Sequence, residues 1–230
     1  MKNWKITIGI VLLSIFMGEL SEAQDWANLD RFKEENAKLG LPAKGEKRVV
    51  LMGNSITQGW SDARPVFFAG KPYINRGISG QTTPQMLVRF RADVIALNPS
   101  VVVILAGTND IAGNTGPSTI EMITDNLFSM AELAKANGIK VVLSSVLPVY
   151  DYPWKTGLNP AEKIVALNEM IKNYSKKNNI VYLDYFSAMV DARNGLKSEY
   201  SEDGVHPNEA GYKVMEPLAE NAIKLALKKE

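Results

Sequence analysis

Four short runs of β-branched and aliphatic residues, each followed by a stretch with helical periodicity, restrict this chain to very few architectures. Arg48 to Met52, Val101 to Leu105, Ile139 to Leu143 and Ile180 to Leu183 carry apolar residues at nearly successive positions, so each predicts a strand covered on both faces. Tyr73-Ile74-Asn75 reads as a weaker fifth. Between them, Leu87, Phe90, Val94 and Leu97 share a helical face, as do Ile123, Leu127, Met130 and Ala134, and Ile164, Leu167, Ile171 and Tyr174. Asn137-Gly138 and Pro99 close helices just before strands. Parallel strands need crossover connections, so the alternation predicts an α/β fold with three layers, a five-stranded parallel sheet between helices. In such sheets ligands sit beyond the carboxyl ends of the strands, which is where chemistry should be sought.

Both ends of the chain add helices of other kinds. Lys2 and Lys5 precede an apolar run, Ile6 to Met17, that is short for a bilayer span, and Ser21-Glu22-Ala23 supplies small residues at cleavage spacing. Residues 1–23 therefore read as a secretory signal peptide, with an uncleaved anchor as the alternative, and residues 24–230 as a single domain exported to the periplasm or beyond. No cysteine is present to carry a lipid, a disulfide or thiol chemistry. Trp26 to Gly40 predicts one amphipathic helix docked on the domain, and Asn208 to Lys229 a terminal helix started by Pro207 and kinked at Pro217. The 26 basic residues nearly balance 25 acidic ones, and the leader holds two of each, so the remainder stays near neutral. Clustered positive charge that would point to nucleic acid is missing. Stable membrane insertion is not expected once the leader is gone, and the oligomeric state stays open.

Four loops after strand-like runs carry polar groups. Ser55, in Met52 to Trp60, falls where a strand ends and a helix could begin, a place that suits a helix cap or a nucleophile beside free backbone N–H groups. His206, the only histidine, stands three residues after Asp203 in a loop before the terminal helix. A serine hydroxyl needs a base to take its proton, and the imidazole needs an acid to fix its tautomer; an exposed loop histidine beside a solvated aspartate is the plainer alternative. Asn109 could donate an N–H to developing negative charge or close an Asx turn. In Asn75 to Thr83, Gly80, or else Gly77, could bring a backbone N–H up to a ligand. With one histidine and no cysteine, a metal site would have only carboxylates left, and no metal or other cofactor is expected.

In order and spacing, Gly53-Asn54-Ser55, Gly80 within Ile78 to Thr82, Gly107-Thr108-Asn109-Asp110 and Asp203 to Pro207 resemble the blocks of the SGNH (GDSL-type) esterase and lipase superfamily. The likeness runs from about Arg48 to the end and is nearest to platelet-activating-factor acetylhydrolase-type subunits and bacterial carbohydrate acetylesterases. It implies a flavodoxin-like hydrolase fold with Ser55 as nucleophile, His206 as general base and Asp203 orienting the imidazole. The Ser55 and Gly80 N–H groups and the Asn109 side chain would form the oxyanion hole. One departure is visible: Asn54 stands where the family has aspartate, which bears on local hydrogen bonding more than on the triad. Thr57 breaks Gly-x-Ser-x-Gly, so the α/β-hydrolase elbow is not the arrangement.

The absence of a long apolar insertion favours a short acyl group such as acetyl. Trp60 and the cluster Tyr150, Tyr152 and Trp154 follow strand ends, where they could pack on a sugar or aryl leaving group or simply fill loops. The loop Pro148 to Pro160, stiffened by prolines, would shape specificity. The expected substrate is a small-molecule or glycan ester, with acetyl esters of a carbohydrate foremost. A lysophospholipase or thioesterase-like hydrolase and a non-catalytic carbohydrate-binding protein are the alternatives.

Overall fold

The computed structural model describes residues 25–229, so the proposed leader, 1–23, lies outside the described residues. Five parallel strands, β1 (Val49–Gly53), β2 (Tyr73–Gly77), β3 (Val101–Leu105), β4 (Lys140–Ser144) and β5 (Val181–Leu183), lie in the order β2-β1-β3-β4-β5. This is the flavodoxin-like order, which places a topological switch between β1 and β3. Its register is even: Gly53 pairs with Gly77 on one side and Leu105 on the other, so the loops that follow β1, β2 and β3 leave the sheet side by side.

Alternation along each strand explains the continuous apolar runs. Val50, Met52, Val102, Ile104, Val141 and Leu143 face one core; Val49, Leu51, Val101, Val103, Leu105 and Val142 face another. The longer helices are α1 (Lys33–Leu39), α2 (Ser55–Ala63), α3 (Thr83–Asp93), α4 (Ile120–Ala136), α5 (Pro160–Lys177) and α6 (Glu209–Lys228). Helices α3, α4 and α5 cover the first face through Met86, Phe90, Leu127, Met130, Leu167 and Ile171. Helices α2 and α6 cover the second through Ile56, Trp60, Tyr212, Met215 and Ile223. Leu87 and Tyr174 are only partly buried, and Tyr174 stacks on Phe128 between α4 and α5 at 3.7 Å. Asn137 ends α4 and Gly138 follows at φ 74°, a conformation glycine adopts without penalty.

The N-terminal segment departs from expectation. Only Lys33–Leu39 is helical, and none of its residues is fully buried. Asn28 is left-handed (φ 55°) and its N–H donates to the Asp25 carbonyl, while the Asp25 carboxylate accepts from the Asp30 N–H. These short-range bonds offer the backbone an alternative to helix, so residues 25–32 form turns. The segment docks through buried Ala27 and Phe32 and through Asn36, whose carbonyl accepts from Arg76 and whose amide donates to Asp93. The terminal helix is one piece from Glu209 to Lys228, capped by the Asn208 side chain, with Pro217 on its exposed side. Among the described residues no helix is long and apolar enough to cross a membrane.

Candidate active site

Strand β1 ends at Gly53, Asn54 occupies the cap position without a side-chain capping bond, and Ser55 is the first residue of α2. The turn is so tight that a Cβ on Gly53 would lie 2.0 Å from the Thr57 hydroxyl and 2.9 Å from the Leu105 carbonyl. Glycine is therefore required there, and α2 starts directly over the sheet edge. The Ser55 N–H has no acceptor among the described residues, as the first N–H groups of a helix must. Both polar atoms of the Asn54 side chain are buried without a hydrogen-bond partner among the described residues. A neutral amide tolerates that situation at lower cost than a carboxylate would.

His206 approaches Ser55 across 151 positions of sequence: its Nε2 lies 3.0 Å from Ser55 Oγ, and its Nδ1 lies 2.7 Å from Asp203 Oδ2. The other oxygen of Asp203 accepts from the N–H groups of His206 (2.8 Å) and Val205 (2.9 Å) and from the Ser201 hydroxyl (3.1 Å). Partial burial raises the Asp203 pKa, but the bond from the His206 ring and the two backbone N–H donors outweigh it and bring the value down to about 2. An ionised Asp203 takes the Nδ1 proton as a hydrogen bond, which leaves the Nε2 lone pair facing the Ser55 hydroxyl.

The two glycines of the second loop have separate situations. The Gly77 N–H donates to Asn75 Oδ1, and a Cβ there would sit 2.2 Å from the Gln58 nitrogen, so Gly77 serves close packing of α2 on β2. Gly80 is exposed with φ 76°; its N–H has no acceptor among the described residues, while its carbonyl accepts from Asn114. Asn109 is buried in a short helical turn, Thr108–Ile111, after β3, and one of its amide protons goes to the Gln81 carbonyl at 2.9 Å. The loops carrying Gly80 and Asn109 are locked again by Asp110, whose carboxylate accepts from the Thr83 N–H and hydroxyl.

The aromatic side chains divide. Trp60 corrects the expectation of a ligand contact: it is 2% exposed and packed between Phe67 (4.8 Å) and Tyr212 (5.6 Å), because α2 turns that side chain toward the second core. Tyr152 is likewise buried, its hydroxyl donating to the Thr108 carbonyl at 2.8 Å. Tyr150 is exposed but lies under the Arg193 guanidinium at 4.8 Å, on a cleft between the loops after β4 and β5 that contains none of the triad residues. Trp154 is 51% exposed with its ring 6.0 Å from that of His206. More than proline holds this loop: Asp151 accepts from the Gly157 N–H, and Lys155 donates to the Ala112 carbonyl.

Sequence reasoning missed Arg89. Its side chain is wholly buried; Nη2 donates to the carbonyls of Gly53 and Arg76, Nε to the Gln81 side chain, and Nη1 to Asp93. It thus ties the ends of β1 and β2 to the Gly80 loop. The available signal was its position three residues after Met86 and four before Asp93, on the buried stripe of α3.

The profile of the GDSL-like Lipase/Acylhydrolase family matches residues 51–214. A solved GDSL-like lipase of Bacteroides thetaiotaomicron is 51% identical with a TM-score of 0.85, covering 87% of this chain and 98% of that one. An acetylxylan esterase of Xylanibacter ruminicola is 28% identical over 80% of this chain, which spans 45% of that longer protein. A Bacillus subtilis lipoprotein is 25% identical over 70% of this chain and 79% of its own length.

Proposed function

The chain is a carboxylic-ester hydrolase of the GDSL-like lipase/acylhydrolase family, within the SGNH superfamily, and from that premise we propose that it removes acetyl groups from the hydroxyls of a carbohydrate. The observation that carries this reading is the aligned relay of Ser55 Oγ, His206 and Asp203, at 3.0 and 2.7 Å. Ser55 Oγ attacks the ester carbonyl as its proton passes to His206 Nε2. The tetrahedral oxyanion accepts hydrogen bonds from the N–H groups of Ser55 and Gly80 and from the second amide proton of Asn109. The imidazolium then protonates the leaving sugar oxygen. Water, deprotonated by the same nitrogen, attacks the acyl-enzyme and releases acetate and free Ser55.

Acetyl is favoured over longer acyl groups because the described residues include no extended apolar insertion to shelter a chain. A carbohydrate alcohol is favoured by Trp154 beside His206 and by similarity to the acetylxylan esterase. Residues 24–230 are read as one hydrolase domain, exported after removal of the 1–23 leader. That placement draws on the leader pattern and on similarity to a lipoprotein.

The test is hydrolysis of p-nitrophenyl esters of rising chain length, with acetate release from acetylated saccharides and fluorophosphonate labelling. Wild type should prefer the acetyl ester and label once; Ser55→Ala should do neither. Equal labelling of the two proteins, or a preference for long chains, would refute the reading.

A further inference from the structure

A groove of about 320 Å³, of mixed polar and apolar lining, opens beside Gly80, in the angle between the N-terminal turns and the loops that follow β2 and β3. Its walls carry Asp25, Trp26, Ile78, Gly80, Asn114 and Thr115. We infer that this groove is a second sugar subsite, which holds the neighbouring unit of the acetylated carbohydrate by stacking a pyranose ring on Trp26. The inference rests on the acetyl-ester reading given above and extends it from a sugar acetate to an oligomeric or polymeric chain.

Three observations converge. First, the groove shares Gly80 with the proposed oxyanion site, so whatever lies in it is adjacent to the reacting carbonyl. Second, hydrogen bonds tie together the segments that form the groove. Asn114 donates to the Gly80 carbonyl at 3.0 Å, and its own N–H donates to the Asn109 carbonyl. The hydroxyls of Thr115 and Thr82 lie 3.0 Å apart. The Gln85 side chain donates to the Trp26 carbonyl at 2.6 Å, and Gln81 to that of Ala27 at 2.7 Å. Third, Trp26 remains 48% exposed although the residue after it is buried. A rigidly anchored backbone therefore presents an indole to solvent at the mouth of a cleft.

The lining decides the class of ligand. It is mixed: the Trp26 and Ile78 side chains stand among amides, hydroxyls and the Asp25 carboxylate, and an acyl chain would strip water from those polar groups without giving them a partner. A pyranose meets both demands, with C–H groups for the indole face and hydroxyls for the amides. Trp154 stands 6.0 Å from the His206 ring and Trp26 lines one groove with Gly80, so the proposed site has an exposed indole on its base side and another on its oxyanion side. That arrangement fits a chain crossing the site more closely than it fits a single sugar.

The test uses the full-length protein with Trp26→Ala and Trp26→Phe variants. Unacetylated xylo-, gluco- and manno-oligosaccharides of two to four units are titrated by calorimetry. In parallel, kcat/KM for their acetylated forms is compared with that for p-nitrophenyl acetate. Wild type should bind at least one series, and its ratio of oligosaccharide to small-ester kcat/KM should rise with chain length. Trp26→Ala should lower both affinity and ratio about tenfold, with most of the loss restored by phenylalanine. Absence of binding by wild type, or a Trp26→Ala variant that binds and discriminates like wild type, would overturn the subsite. If Trp26-dependent binding occurs but no acetate is released from any saccharide, the subsite stands and the acetyl-ester reading falls. Acetate release indifferent to Trp26 gives the converse.

Discussion

Asp110 and Asp203 show how one residue type reaches opposite ends of its titration range. Burial pushes the Asp110 carboxyl up to about 6, and the Thr83 hydrogen bonds offset only part of that. Between the ordinary aspartate value and about 6 the folded protein therefore holds a proton that the unfolded chain has released, so stability should decline as pH rises through that window. Replacing Asp110 with Asn should flatten this slope, measured by denaturant unfolding at several pH values. Asp203 has the reverse sign, since its stabilisation is complete above the ordinary value and disappears only as pH falls toward about 2. At neutral pH Asp203→Asn should still fold, but its amide can donate to Nδ1 and move the ring proton to Nε2. Turnover of p-nitrophenyl acetate should then fall by about four powers of ten. Trp60→Ala should behave otherwise, costing about 3–5 kcal/mol of stability through the cavity it leaves, with KM for small esters little changed. That Ser55, Asp203 and His206 lie together was legible only through the family-like blocks, because each residue alone suits a cap or an exposed loop as well. The burial of Trp60 was not, because a tryptophan five residues into α2 can face core or cleft, and only the docking of α6 decides which.

Elements were legible where one signal dominated. The strands could be located within one or two residues because the two faces of the sheet require apolar residues at successive positions, and few other structures tolerate that pattern. The long helices between strands followed for the same reason, each needing one apolar stripe. Residues 26–40 failed because the spacing of Leu29, Phe32 and Leu39 satisfies a helical stripe, yet local bonds from Asp25 and the left-handed Asn28 win over the first two turns. Arg89 was illegible in a deeper sense, since its partners come from the ends of two strands and a loop whose meeting cannot be inferred from α3 alone. Arg89→Met should cost about 3–5 kcal/mol, because Asp93 is left charged in the interior and two carbonyls lose a donor. The Arg89→Met, Asp93→Leu pair should recover part of it in urea unfolding. Restoration of the full wild-type value would show that the carbonyls of Gly53 and Arg76 do not need the guanidinium.

At the scale of the whole molecule, α6 binds the C-terminal part of the chain to the segment between β1 and β2 that begins with Ser55. The Tyr212 hydroxyl donates to the Ile56 carbonyl at 2.8 Å, Arg64 pairs with Glu216 at 2.7 Å, and Lys71 pairs with Glu220. The first two bonds fasten α6 to α2 and its C-cap, and the third fastens it to the loop before β2, so the helix that follows the His206 loop is fixed against the helix that begins with Ser55. Tyr212→Phe should lose about 1 kcal/mol in thermal or denaturant unfolding and lower kcat more than it raises KM, since the imidazole is displaced and the substrate contacts are not. The 151-residue separation between Ser55 and His206 also has a meaning in time. Ser55 is polymerised roughly eight to thirty seconds before the ring proposed to activate it. On the proposed mechanism, products that stop short of His206 should therefore be inert toward esters, and a first turnover would mark translation past that loop.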